Sequence, residues 1–233
     1  MKPGRSAGGQ AATPRLAREG EKDPSKSRDP RRSVRSVERR IVRILFLLAL
    51  LLRGIDLGRD ELWFDEAYTA LVAASPATLF DEVENDAGPP GYYLWMACWV
   101  RVFGDSEAAL RLPSLLAGAL TVPLLYRVGV AAGSGVAGCL AAFLLTISPL
   151  HVHYSREARV YALFLLVVTW ALWAMLRLYR APGRRQPWVV LALATLSALY
   201  LHNYGIFLAV AVALFLFVAP GLRRRWGGLL LGG

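Results

Sequence analysis

The chain has 233 residues, 55% of them hydrophobic, with a mean hydropathy of +0.40. Apolar runs near the ~20 residues needed to cross a bilayer recur along it, which excludes an ordinary soluble globule and points to a polytopic helical membrane protein. The net charge of +10 does not imply nucleic acid as a partner: 12 of the 27 basic residues lie within residues 1–40 and most of the others end apolar runs, a pattern that orients spans and meets anionic headgroups.

Residues 1–40 are rich in Arg, Lys, Ser, Pro and Gly and carry too few large apolar residues to bury a core, so a disordered basic tail is expected there. The first apolar run starts only near Ile41 and no small-residue cleavage site follows it, so this is not a signal peptide. Residues 41–58 form the first predicted span, with Arg53 close enough to one end to snorkel. The basic tail sets its start in the cytoplasm and its end outside. The membrane domain then occupies residues 41–233. Trp226 to Gly233 reads as the opening of a further span, as in the N-terminal part of a longer protein.

An acidic loop follows the first span. Residues 58–91 hold Asp60, Glu61, Asp65, Glu66, Asp81, Glu82, Glu84 and Asp86 against the single Arg59, whereas Glu157 is the only acid after Glu107. Asp65 to Ala74 has a helical pattern with Phe64, Tyr68, Leu71 and Val72 on one side, predicting a short interfacial helix. Residues 89–103 are rich in Tyr and Trp and barely long enough to span, which suits the headgroup zone. With this segment on the outer face, spans near 108–128, 135–149, 160–176, 188–201 and 205–218 leave both later arginine clusters, Arg177 to Arg185 and Arg223 to Arg225, cytoplasmic. The same scheme sets His151, His153, His202, Arg156, Glu157 and Arg159 on the outer side with Asp65. The expected fold is all-α, a transmembrane bundle of about 6–7 spans with interfacial helices in the first outer loop. Cys98 and Cys139 are isolated and read as core residues.

Three segments could carry chemistry. Asp65 and Glu66 open the interfacial helix, where a carboxylate is either a helix cap or, in a partly dry site, a general base or ligand for a divalent metal. Arg156 and Arg159 follow the Ser148-Pro149 break. Three residues apart, they would be neighbours on one helix face, and two guanidinium forks suit a phosphate or diphosphate. Their alternative role is mutual neutralisation with Glu157 at a helix end. His202-Asn203-Tyr204 interrupts an apolar stretch, as a turn or as part of a site. The three histidines lack a strong zinc-ligand spacing.

Together these segments resemble the membrane-embedded GT-C glycosyltransferases of the protein O-mannosyltransferase and aminoarabinose transferase type, particularly bacterial relatives acting on cell-envelope glycans. The resemblance rests, in order, on Phe64-Asp65-Glu66-Ala67-Tyr68-Thr69, Pro89-Pro90-Gly91-Tyr92-Tyr93, Arg111-Leu112-Pro113-Ser114, Tyr154-Ser155-Arg156-Glu157-Ala158-Arg159-Val160-Tyr161 and His202-Asn203-Tyr204-Gly205. Relatives often carry His before the Pro-Pro pair, where this chain has Gly88. The resemblance implies transfer of a sugar from a polyprenyl-phosphate donor to a glycan, lipid or protein acceptor at the outer face of the cell membrane. It implies Asp65 as the catalytic or metal-coordinating carboxylate with Glu66 in support, and Arg156 and Arg159 on the donor phosphate. Tyr154, His202 and Tyr204 join them as substrate-binding candidates. The rival readings are a transporter or flippase for an anionic lipid or solute, against which the almost purely apolar spans count, and a truncated membrane-bound remnant.

Overall fold

In a computed structural model describing residues 30–75 and 88–219, all regular structure is helical. The elements are α1 (Pro30–Gly54), α2 (Phe64–Ala74), α3 (Gly91–Phe103), α4 (Glu107–Ala132), α5 (Gly135–Ile147), α6 (Pro149–Tyr154), α7 (Tyr161–Arg180), α8 (Arg185–Leu201) and α9 (Gly205–Val218). Two of them, α4 and α7, are long and apolar enough to cross a bilayer by length and composition, and α5 and α9 are apolar but shorter. Acidic residues 81, 82, 84 and 86, the arginines 223–225 and the final segment 226–233 lie outside the described residues.

Helix boundaries follow local chemistry. Ser106, Ser134 and Ser148 cap the N-termini of α4, α5 and α6 by accepting the amides of Ala109, Ala137 and His151. Gly133 ends α4 in the left-handed region at φ 115°, which costs a glycine little. Thr121, Thr146, Thr169 and Thr195 each donate their hydroxyl to the carbonyl four residues back, so these polar groups are satisfied within their own apolar helices. The first helix begins at Pro30, so residues 30–40 are helical rather than part of a disordered tail. Proline suits a first turn, and Glu38 accepts the Tyr126 hydroxyl at 3.0 Å, tying this stretch to α4.

The helices α1, α4, α5, α7, α8 and α9 of the bundle alternate in direction. Glu38 near the start of α1 lies against Gly135 at the start of α5, and Arg53 near the end of α1 bonds the last carbonyls of α5, so these two run parallel. Gly58, just beyond α1, meets Ala108 at the start of α4, while Tyr126 far along α4 meets Glu38, so α4 runs back. Ser114 bonds residue 159 just before α7, and Arg127 lies over Trp173 well along it, making α7 parallel to α4. The tight turns around residues 181–184 and 202–204 return α8 and then α9.

The segment 89–103 takes no place among them. Gly91 packs on the Tyr200 carbonyl at the end of α8, and Trp99 donates to the Ala109 carbonyl at the start of α4. Both ends of α3 therefore touch the same end of the bundle, and α3 lies across it on α2. Val72, Tyr92, Tyr93, Met96, Leu110, Ala158 and Val160 form a core beneath this layer.

The face of α2 differs from expectation. Its packed side is Glu66, Thr69, Val72 and Ala73, whereas Phe64 is 82% and Leu71 61% exposed. A buried ion pair at Glu66 decides this rotation against the apolar pattern. The large apolar residues turned outward suit an interfacial helix.

At the α4–α5 crossing, Gly129 and Gly138 lie backbone to backbone, and a Cβ on either would collide with the other helix. Close approach through small residues is a main source of helix association in apolar surroundings. Gly138→Leu is expected to destabilise the bundle by at least about 1–3 kcal/mol, read as a lowered unfolding midpoint and loss of the monodisperse peak in detergent; an unchanged profile would show that this crossing does not hold the bundle.

Candidate active site

One guanidinium organises the end of the bundle that carries the acidic loop. Arg111, on the second turn of α4, donates Nε to Glu66 Oε1 at 2.9 Å and Nη2 to Glu66 Oε2 at 2.7 Å. Its Nη1 reaches the carbonyls of Leu57 and Asp60, both at 2.9 Å, and Nη2 also reaches that of Glu61 at 3.1 Å. Arginine has five N–H donors in a planar fork, and all five are used. The amide of Ala158 donates to Glu66 Oε1 at 2.7 Å, so the same carboxylate draws in the segment before α7. Burial opposes ionisation of Glu66, which is 1% exposed, but the Arg111 fork and the Ala158 amide outweigh it and hold the carboxyl below its usual range. Glu66 is thereby committed to the scaffold. Its neighbour Asp65 keeps an accessible carboxylate, 36% exposed.

Segment 151–160 is placed by a second buried arginine. Arg53 does not snorkel: it is fully buried, with Nη1 on the Ala49 and Thr146 carbonyls at 3.2 and 3.4 Å and Nη2 on Leu145 at 3.3 Å. The carbonyls at the α5 C-terminus, which lack intrahelical partners, attract it more than the bilayer edge does. Its Nη2 also lies 2.7 Å from His151 Nδ1. Burial and the Arg53 charge lower the His151 pKa to about 4, which leaves a neutral ring accepting at Nδ1. Ser155, buried against Gly118 of α4, donates to the His151 carbonyl at 2.5 Å and closes the turn.

After Tyr154 the chain leaves the helix, so Arg156 and Arg159 are not neighbours on a helix face. The Glu66 bond to Ala158 and the Ser114 hydroxyl on the Arg159 carbonyl, at 3.0 Å, replace the helical ladder. The two guanidiniums consequently face different spaces. Arg156 lines a cavity of about 600 Å³ with Asp60, Glu61, Trp63, His153 and Glu157. Arg159 lines one of about 200 Å³ with Tyr92, Tyr93, His202 and Asn203. At roughly 30 Å³ per water, the smaller one holds about seven waters' worth of space.

Arg159 also meets Asp65. Its Nη2 is 3.7 Å from Asp65 Oδ2, its Nη1 donates to the Asp65 carbonyl at 3.4 Å, and its charge lies 5.9 Å from the Tyr161 ring centre. Arg159 Nε and the Tyr92 hydroxyl, both beside the smaller cavity, are buried without a hydrogen-bond partner. Unmet buried donors are costly, and here they flank a space that an anion could fill.

The other candidates surround this point. The His202 ring packs near Phe164, Tyr161 and Tyr204, and burial followed by the Arg159 charge lowers its pKa, favouring the neutral form. Tyr204 donates its amide to His202 Nδ1 at 3.1 Å. Tyr154 packs edge-on to Tyr161 and faces a separate apolar cavity of about 250 Å³. His153 bonds Glu157 at 2.9 Å, and burial raises the Glu157 pKa against the pull of His153. The three histidines thus have three different partners. Among the described residues no three His, Cys, Asp or Glu side chains converge as a metal-ligand set, and Asp65 already has a cation beside it. Residues at positions 53, 92 and 93 carry no site role in the sequence reading, and Arg111 enters it only inside a motif; an arginine just inside each of two apolar runs is the signal that could have marked the buried clasps.

Removing one partner of a buried ion pair costs about 3–5 kcal/mol, more than replacing both. Arg111→Met is expected to lower the unfolding midpoint more than the double variant Arg111→Met/Glu66→Gln does; additive losses would show that the pair is not coupled.

A family model described as dolichyl-phosphate-mannose-protein mannosyltransferase matches residues 87–229, more than half of the chain. The match contains Tyr92, Arg111, segment 151–161 and His202, and begins after the Asp65-Glu66 motif. No curated protein and no solved structure matches the chain.

Proposed function

The chain belongs to the dolichyl-phosphate-mannose-protein mannosyltransferase family, membrane glycosyltransferases of the GT-C type, and we propose that it moves a sugar from a polyprenyl-phosphate donor to a glycan, lipid or protein acceptor at the outer face of the cytoplasmic membrane. The observation that carries this reading is the contact of Asp65 with Arg159, which lines a small cavity flanked by two unmet buried donors. A carboxylate and a phosphate-binding cation are the two groups such a transfer needs within reach of one another.

In the proposed reaction the acceptor hydroxyl oxygen bonds to the anomeric carbon of the donor sugar. The bond from that carbon to the phosphate oxygen breaks, and its electron pair leaves on the polyprenyl phosphate. Asp65 takes the hydroxyl proton as general base. Arg159, with the Tyr92 hydroxyl, binds the leaving phosphate and stabilises the charge that develops there. Neutral His202 lines the same cavity and orients the headgroup, Tyr204 holds that ring through its amide, and Tyr154 braces Tyr161 beneath Arg159. Arg156 faces the larger space, which suits the acceptor. Glu66 acts at one remove, fixing the start of α2 and hence Asp65.

Orientation follows charge. Arginines 35, 39, 127, 177, 180 and 184 gather at the end of the bundle away from Asp65, and a basic end favours the cytoplasm. The remaining spans of the expected 6–7 belong to this proposal, with α1, α5, α8 and α9 crossing beside α4 and α7. Asp65 is taken here as a base; a divalent ion at this point would have Asp65 as its protein ligand and would screen the donor phosphate, but only after displacing Arg159.

With a labelled polyprenyl-phosphate sugar and the full chain in membranes, Asp65→Asn should reduce transfer by about 10²–10⁴-fold while insertion and folding persist. Wild-type rates in that variant would sink the assignment of the base. Separately, Arg159→Gln is expected to raise the donor KM roughly tenfold, as loss of a charged hydrogen bond implies, and Arg156→Gln to leave donor KM unchanged. Equal effects of the two would mean that both arginines hold the donor after all.

A further inference from the structure

The opposite end of the bundle carries a recess that the transfer reaction does not use. Two adjoining cavities, of about 710 and 500 Å³, share Arg39, Tyr126, Val130, Arg177 and Arg180 in their walls. Arg35 completes the wall of one lobe, and Arg127 and Arg184 that of the other. Among the described residues Glu38 is the only acid lining either lobe, and it accepts the Tyr126 hydroxyl. Among the described residues none of these six arginines forms an ion pair. Arg127 and Arg177 both lie about Trp173, at 6.0 and 5.7 Å from its ring, and Arg177 Nε is buried without a hydrogen-bond partner.

We propose that this recess binds the phosphate of an anionic phospholipid headgroup. Like charges converging on one concave space repel one another, and a bound anion removes that repulsion while supplying acceptors for several guanidinium forks. A ligand with acyl chains fits better than a soluble anion because the recess opens onto apolar surface. Val34 and Val130 in its wall are exposed, as are Val37 and Ile41 on α1 and Val136 and Leu140 on α5. Basic pockets between membrane helices bind such headgroups through this combination of charge and flanking apolar faces. The site depends on the chain being a membrane protein and is independent of the identity of donor or acceptor.

The test uses the full chain in nanodiscs of phosphatidylcholine and phosphatidylglycerol in equal amounts, followed by native mass spectrometry of the lipid that stays bound on release. Arg180→Gln/Arg184→Gln removes two exposed arginines of the recess, so it leaves no hole in the core. Arg40→Gln/Arg43→Gln removes the same charge from exposed positions of α1 that line neither lobe. Retained phosphatidylglycerol should fall roughly tenfold in the first variant and stay at the wild-type level in the second, with equal unfolding midpoints in phosphatidylcholine alone. Inorganic phosphate at millimolar concentration separates the two sources of a phosphate group: no displacement assigns the site to lipid, and displacement from the wild type assigns it to a soluble phosphate and overturns the lipid reading. Equal retention in all three proteins, or equal loss in both variants, also overturns the proposal.

Discussion

The five-donor grip of Arg111 is the constraint on which the acidic end of this molecule depends. An arginine on an apolar helix is costly unless every donor is met, and here the donors are met by a carboxylate and three loop carbonyls. Because the acceptors come from residues 57, 60, 61 and 66, the loop after α1 and the first turn of α2 are pinned to α4. Because Glu66 in turn accepts the Ala158 amide, the segment carrying Arg156 and Arg159 is pinned to the same point. The Asp65–Arg159 contact is a consequence of that clasp.

Arg53 does the corresponding work one layer deeper. It caps the C-terminal carbonyls of α5 and bonds a neutral His151, so the chain turns out of α6 at a defined place. Between them the two arginines convert a stretch that could have continued as helix into a bend. That bend turns Arg156 and Arg159 toward different cavities. A single helix would have presented both to one ligand. The bend gives each its own cavity, an arrangement the proposed donor and acceptor would each use.

The bundle is therefore chemically polar along its length. One end gathers carboxylates, histidines, tyrosines and the arginines Arg111, Arg156 and Arg159, and the other gathers arginines around a recess whose one acid among the described residues is Glu38. Between them the helices are apolar, with threonine hydroxyls satisfied internally and small residues at the closest crossing. Charges are kept out of the apolar zone except where Arg111 has every donor met and where both terminal nitrogens of Arg53 are held by acceptors.

Much of this was legible in the residues alone. The length and repetition of the apolar runs dictate a helical membrane protein, since only helices satisfy their own backbone in such surroundings. The family is legible as well, because its short motifs survive as strings along the chain. Charge position sufficed to predict that Asp65 and residues 151–160 share an end, and to prefer an α3 that lies across that end, which is where it lies. Periodicity failed at α2 and at residues 156–159. In both places long-range polar bonds to Glu66, donated by Arg111 and by the Ala158 amide, outweigh the local pattern, turning Phe64 and Leu71 outward and unwinding the arginine pair. Which of two adjacent carboxylates is buried and which stays accessible was likewise decided only in the tertiary structure. The deciding partner of Glu66 lies 45 residues away in the chain, and no local propensity carries information over that separation.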